Sequence, residues 1–353
     1  MALEHQERLQ DTPQTPAAWP RQARRFAVFL SFVASAILLW LASGLLIPAQ
    51  LTQTSGQLQG LVTIFLGIFI EALPFLLAGV LASSAIQLFV SPEWVQRLSP
   101  RSPVPAALMG SVLGMVFPVC ECGSAPTTRR LLAKGAPLPL GIAFILAAPV
   151  VNPVVIASTW VAFGGRPEIV IGRIVLTIVI ATAVGLVVGL HPRPAELLAR
   201  LPDHNDEFDQ FQQQYAVSRG RMRSLLQHAS NEFFEMGRYL VIGALIAATL
   251  QTIIPRDTLL SLGQGPVVSA LVLMGLAIVL SICSTVDAFV ALAFANSFLP
   301  GSLLAFLVFG PMVDIKSVLM FNSTFQRRTV ALIVLLTFQM TLLAAVVINM
   351  YFT

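Results

Sequence analysis

Cys120, Cys122 and Cys283 are the only cysteines in this 353-residue chain, and all three sit inside apolar sequence. Soft thiolates favour soft ions, and three of them suit a trivalent metalloid. A zinc site would normally want four ligands, and none of His5, His191, His204 or His228 falls in an apolar stretch. No metal centre and no cofactor are therefore expected. The plainer reading treats the cysteines as small buried hydrophobes.

The second set of reactive groups is ionisable. Glu71, Glu121, Glu235, Asp287, Asp314 and Lys316 lie in apolar surroundings, with Arg173 and Arg238. An acid that takes a proton on one side of a membrane and loses it on the other couples movement to a proton gradient. Asp314, Asp287 and Glu121 suit that role. So does Glu71, which has no basic residue within a helical turn. Glu235 and Arg238 stand i, i+3 and are expected to pair on one helix face. Asp314 and Lys316 are only two apart beyond Pro311, so their pairing requires a non-helical backbone. Asn152 offers donors and an acceptor to a substrate or cation; alternatively it plugs the carbonyls freed by Pro149 and Pro153. Arg129, Arg130 and Lys134 either attract an anion or, in the favoured reading, snorkel to anchor a helix at the interface.

The elements that position these groups follow from composition. Hydrophobic residues make up 56% and charged residues 11% of the chain, against roughly 25% charged in a soluble domain. So few charges cannot cover a soluble surface of this size. The chain reads as an all-α polytopic membrane protein, which excludes a soluble enzyme or nucleic-acid binder. Its partners are the lipid bilayer and a small molecule or metalloid, and the sequence leaves the oligomeric state open. Three cysteines make no secreted disulfide framework. Residues 1–25 are polar and read as a disordered cytoplasmic tail. The apolar run 26–47 is too long and too far from the start for a cleavable signal, and reads as an extra membrane helix.

Further apolar runs at 58–90, 138–162, 168–190, 232–254, 301–322 and 329–352 each approach or exceed the roughly 20 residues that cross a bilayer. Pro103–Pro118 and Pro266–Ile282 instead stop at polar, cysteine-bearing knots and resume as short helices near 125–134 and 285–298. Those second pieces are too short to span. If both units are re-entrant hairpins, sixteen basic residues share the side of the N-terminal tail and two, Arg166 and Arg256, lie opposite. If their first helices cross, the split is ten to eight. The excess of Lys and Arg in cytoplasmic loops favours seven spans plus two hairpins over the nine-span alternative, with a cytoplasmic N-terminus. Residues 191–231, rich in Asp and Arg, form a polar cytoplasmic linker.

The two halves, 58–190 and 232–353, repeat each other at an offset of 162–164 residues; residues 26–57 stand outside the repeat as the extra helix and its loop. Glu71–Gly79 matches Glu235–Gly243, Phe117-Pro-Val-Cys120 matches Leu280-Ser-Ile-Cys283, and Ala148-Pro-Val-Val-Asn152 matches Gly310-Pro-Met-Val-Asp314. With hairpins, the halves insert in opposite senses. Inverted repeats of this kind hold substrate near the midplane between broken helices. Unwound backbone survives there only when buried or lining a wet cavity. Pro118, Pro149, Pro153 and Pro311 mark the breaks, and the repeat makes Cys120 and Cys283 equivalent, so that all three sulfurs can meet. The alternative is that proline and glycine only kink packed helices.

The run Phe117-Pro-Val-Cys-Glu-Cys-Gly-Ser-Ala-Pro-Thr-Thr-Arg-Arg130, with Lys134-Gly-Ala-Pro137 and Ala147-Ala-Pro-Val-Val-Asn-Pro153, resembles bacterial predicted permeases typified by YraQ and the organoarsenical efflux permease ArsP. The likeness extends from about residue 58 to the C-terminus. It implies an inner-membrane permease and draws attention to Cys120, Glu121, Cys122, Pro149, Asn152 and Pro153. In the ArsP branch it implies export of trivalent organoarsenicals, hence efflux and arsenical resistance. The expectation is alternating-access export of a trivalent (organo)arsenical or related soft metalloid, coupled to protons. Cys120, Glu121, Cys122, Asn152, Cys283 and Asp314 would contact substrate, and Glu71, Asp287 and Asp314 would couple protons. An ion channel built from the same hairpins, or a membrane thiol-redox protein using Cys120 and Cys122, are the rival readings.

Overall fold

The computed structural model describes residues 52–89, 91–100, 102–117, 119–190, 197–198, 221–253, 265–295 and 297–351. The run 26–47, the N-terminal tail, Pro118, Arg256 and most of the 191–231 linker lie outside these residues. Among the described residues only the start of the first helix belongs to the unit Met1–Val62; the portion from Thr63 onward forms a second compact unit, and it carries the site.

The regular elements among the described residues are helices, beside one isolated β-bridge between Leu198 and Phe325. In the first half they are α1 (Thr52–Phe89), α2 (Pro92–Leu98), α3 (Pro103–Val116), α4 (Glu121–Ala133), α5 (Leu138–Val151), α6 (Pro153–Ala162) and α7 (Pro167–Gly189). The second half contributes α8 (Arg221–Ile253), α9 (Pro266–Leu280), α10 (Asp287–Phe294), α11 (Pro300–Met312), α12 (Ile315–Phe321) and α13 (Arg327–Tyr351). α2, α3, α6, α7, α9 and α11 each open on a proline, whose fixed φ and missing N–H suit the first helical position. α8 starts at Arg221, inside the stretch read as linker. α4 begins four residues earlier than expected, at Glu121, and α10 covers less than expected.

Among the described residues, six stretches are long and apolar enough to cross a membrane: 58–84, 138–162, 167–189, 229–253, 300–321 and 327–351. α3 and α9 are shorter apolar helices. Their packing register identifies them as the entering arms of hairpins. Gly110 of α3 lies on Leu140 of α5, and Gly114 lies on Ala147 and Ala148, so α3 and α5 run in the same direction. The turn after α3 brings Val119 against Phe144 and Ala148, while Leu132 near the end of α4 touches Gly141. α4 therefore runs back along α5 to the face from which α3 started. In the second half Ser269 hydrogen-bonds Ser302 at 2.8 Å and Ala277 touches Gly310, so α9 and α11 are parallel too. Phe294, closing α10, packs its ring on Phe306 at 6.5 Å, and the chain returns to the start of α11.

The two hairpins enter from opposite faces. α7 descends antiparallel to α5, bringing Gly189 onto Pro139, and Asn349 at the end of α13 hydrogen-bonds Pro266 and Ser302 at the other face. The first hairpin thus opens on the face that carries Arg97, Arg129, Arg130, Lys134, Arg327 and Arg328, called here the arginine-rich face. The second opens on the face of Arg166. This is an inverted repeat.

α5 is buried along its whole length and α11 along nearly all of it, so these two broken helices form the centre. Bilayer-facing and core-facing helices are equally apolar, so helix association depends on close packing of small residues rather than on a hydrophobic drive. Gly79 of α1 and Gly123 of α4 meet backbone to backbone, and a β-carbon at Gly79 would overlap Gly123 Cα.

Candidate functional site

Four interruptions meet around α5 and α11: between α3 and α4, α5 and α6, α9 and α10, and α11 and α12. The α5–α6 and α11–α12 breaks are built alike. Pro149 and Pro311 lie inside the last turn of α5 and α11, three residues before the caps Asn152 and Asp314. Asn152 Oδ1 accepts from Val155 N at 2.9 Å, and its Nδ2 donates to Val119 O and Ala148 O at 3.2 and 3.3 Å. The amide is therefore engaged at both ends, though with the carbonyls of Val119 and Ala148 rather than those that Pro149 and Pro153 free. Pro153 follows as the first residue of α6. Asp314 Oδ1 accepts from Ser317 N at 2.6 Å and Asp314 N donates to Ser317 Oγ at 3.1 Å, the two bonds of a capping box, and the Ser317 hydroxyl also reaches Asp314 Oδ1. Ser281 Oγ donates to Asp314 Oδ2 at 3.0 Å. Ser281, which the repeat aligns with Pro118, holds the left-handed conformation, with φ 46°.

The charges of the centre are paired between halves. Lys316 Nζ lies 3.3 Å from Glu121 Oε1 and 3.4 Å from Asp314 Oδ2. The extended backbone of Asp314 (φ −122°, ψ 176°) is the non-helical geometry that residues two apart require to pair. Arg173 of α7 donates to Asp287 at 2.7 and 3.0 Å and to Thr159 Oγ1 at 2.9 Å. Glu121 and Asp287 are the first residues of the returning helices α4 and α10. Each hairpin thus presents an acid at its tip, and the opposite half supplies the base. An acid at a helix N-terminus also meets the positive end of the helix dipole. All five charged groups are at most 3% exposed, so the centre is closed to both faces. A cavity of about 10 Å³ adjoins Asp287 between α9 and α11, roughly one water in size.

Glu71 of α1 is half-buried and lies within electrostatic reach of Lys316 and Glu121. Among the described residues its Oε1 and the Oε2 of Glu121 are buried without hydrogen-bond partners. Cys120 and Cys122 flank Glu121 and lie within electrostatic reach of each other. Cys283 lies within electrostatic reach of Cys120, Glu121 and Lys316, and receives a hydrogen bond from Thr285 Oγ1 at 3.5 Å. All three thiols are free and buried. Cys120 caps α4, whereas Cys283 stands three residues before the cap of α10. The helix starts align Glu121 with Asp287 rather than Cys120 with Cys283. No group of three or more His, Cys, Asp or Glu suited to a metal ion occurs among the described residues.

At the arginine-rich face Glu235 pairs with Arg129 at 3.2 Å, not with Arg238 as the i, i+3 spacing suggested. Arg238 is exposed and stacks on the ring of Tyr239 at 5.0 Å. The tertiary fold brings α4 alongside α8, and that partner outcompetes the local one. Arg130 Nε stands 3.6 Å from Glu232, which also accepts from Ser83 Oγ at 3.1 Å. Arg129 and Arg130 therefore lock the end of α4 to α8, a more specific role than interfacial anchoring. Burial, with Arg130 nearby, pushes Lys134 below the usual lysine range. Sequence reasoning passed over Glu232, Thr159 and the role of Arg173. A lone arginine deep in an apolar run was the available signal for the last of these.

Comparison with known proteins matches residues 57–350 to the family model described as "Predicted permease" (ArsP_1). The chain belongs to this family. It is 46% identical over 284 residues to "UPF0718 protein YcgR" of Bacillus subtilis, covering 80% of this chain and 95% of that protein. It is 36% identical over 265 residues to the "Putative two-component membrane permease complex subunit" of Streptococcus mutans, covering 75% of this chain and 87% of that protein. No solved structure matches it significantly. The permease is a multi-pass membrane transporter, as the broken-helix hairpins and the family agree.

Proposed function

We propose that this permease exports a small soft solute, a trivalent (organo)arsenical or related metalloid, from the cytoplasm across the bacterial inner membrane by proton-coupled alternating access. The observation that carries the reading is the Glu121–Lys316 pair. It is held at the tip of a hairpin, flanked by Cys120 and Cys122, and has one carboxylate oxygen without a partner among the described residues. Soft thiols beside a charge-balanced acid offer a soft cargo and a proton places at one point. Cys283, Asp314 and Asn152 complete the surroundings, the last two chiefly as caps that hold the breaks in shape. Asp287 is locked to Arg173, and Glu71 lies within electrostatic reach of Lys316 and Glu121. Opening would separate one hairpin from the other half while its counterpart stays shut. The positive-inside rule makes the arginine-rich face cytoplasmic. The relative named as a complex subunit supports a second membrane component for this chain as well.

The test is uptake by everted vesicles containing the permease, using a panel of trivalent arsenicals, metal ions and organic anions, with and without a proton gradient. The expected result is gradient-dependent accumulation of a trivalent arsenical, abolished in a triple Cys120→Ser, Cys122→Ser, Cys283→Ser variant. If no soft metalloid moves under any gradient, the substrate assignment is wrong.

A further inference from the structure

The seam between α1, α4 and α8 leads from the central pair to the arginine-rich face, and buried polar atoms line it. Thr127 Oγ1 and Thr128 Oγ1 on α4, Ser84 Oγ on α1 and Glu232 Oε2 on α8 are all buried without hydrogen-bond partners among the described residues. Thr127 and Thr128 are completely buried. Leaving such groups unmet in a dry interior costs about 1–3 kcal/mol each. Four in one seam are sustained more cheaply if water enters between them.

Their order along the helices is a path. Gly79 on Gly123 fixes the register of α1 against α4. One turn further toward the arginine-rich face come Ser83 and Ser84 on α1 and Thr127 and Thr128 on α4. Arg130 on α4 and Ser83 on α1 then both reach Glu232. At about 1.5 Å rise per residue, the nine residues from Glu121 to Arg130 span roughly 14 Å. The threonines stand between those two ends. The outer carboxyl, Glu232, faces Arg130 and Arg129 from α4, Ser83 from α1 and Glu235 from its own helix. The inner one, Glu121, faces Lys316 and Asp314 from the α11–α12 break and Glu71 from α1, with Cys122 beside it.

We propose that this seam is the proton path of the permease, with Glu232 exchanging protons with the arginine-rich side and Ser84, Thr127 and Thr128 supporting the water chain to Glu121. The proposal rests on the proton-coupled reading above and adds its route. It separates proton release from solute entry: Glu232 lies off the cysteine-bearing tip, so its loss uncouples transport without removing the cargo site.

The test uses the purified full chain in proteoliposomes and two readouts. The first compares exchange of a trivalent arsenical at equal pH with its accumulation driven by a pH gradient. Glu232→Gln is expected to keep exchange within about twofold while driven accumulation falls tenfold or more. Thr127→Val with Thr128→Val leaves both arginine pairs in place and is expected to slow driven accumulation several-fold at unchanged melting temperature. The second readout needs no solute: infrared difference spectra between acid and neutral pH should show a carboxylic-acid band that Glu232→Gln removes. Equal loss of exchange and driven transport in Glu232→Gln, full driven transport in the double valine variant, or an infrared band unaffected by Glu232→Gln would each overturn the path. A wild-type protein that moves no arsenical sinks the substrate reading alone, because the infrared result still decides the path.

Discussion

The bidentate pair between Arg173 and Asp287 permits a quantitative test of how the halves hold together. Asp287→Asn removes the carboxylate that receives two of Arg173's bonds, at 2.7 and 3.0 Å, and leaves Thr159 Oγ1 as the arginine's partner. Breaking a buried pair by removing one member costs about 3–5 kcal/mol. Insertion scales charge an isolated arginine at the bilayer centre roughly 2.5–3.5 kcal/mol. The two converge near 3 kcal/mol, which lowers a melting temperature by roughly 6–12 °C on the scale of mid-sized domains. Arg173→Met should cost a similar amount, because it strands Asp287. Replacing both, Arg173→Met with Asp287→Leu, removes the charges together and should return stability to within about 1 kcal/mol of the parent. The assay is thermal unfolding of the four proteins, followed by tryptophan fluorescence in one detergent. A double variant as unstable as the sum of the singles, roughly 6 kcal/mol down, would mean that the two groups are not coupled and that the halves are held by other contacts.

Two further outcomes test the supporting geometry. Asn152→Ala removes the cap on Val155 N and the donors to Val119 O and Ala148 O; a loss of about 1–2 kcal/mol should appear as faster hydrogen exchange in the first turn of α6, with α12 unchanged. Gly79→Val forces a side chain into the backbone of Gly123 and should destabilise by about 1–3 kcal/mol, whereas Gly237→Ala, with open space around it, should leave the melting temperature unchanged.

Much of this architecture was legible because its signals are local. Proline and glycine beside polar residues in apolar runs marked the breaks at Pro149–Pro153 and Pro311–Asp314, since unwound backbone in hydrocarbon needs such residues. The excess of arginine on one side selected hairpins over spans, and the packing of α3 on α5 and α9 on α11 shows the hairpins. What stayed hidden involved partners distant in sequence. Glu121 and Lys316 are 195 residues apart, Arg173 and Asp287 114 apart, and Arg129 and Glu235 106 apart. The local alternative, Glu235 with Arg238, was the pairing that spacing alone could offer. Hydropathy was equally silent on which spans are central: α5 and α7 are both strongly apolar, yet only α5 is buried throughout.

The sequence by itself determined the class, the inverted repeat and the positions of the breaks, because a chain with 11% charged residues must bury its backbone polar groups in helices and betrays each exception by its residue types. Only the tertiary structure decided which charges neutralise one another. In a membrane that choice depends on which helices meet, and meeting is governed by close contacts such as Gly79 on Gly123, whose partners no local pattern records. The same close packing placed Glu232 at the end of a polar seam and Glu121 at its start.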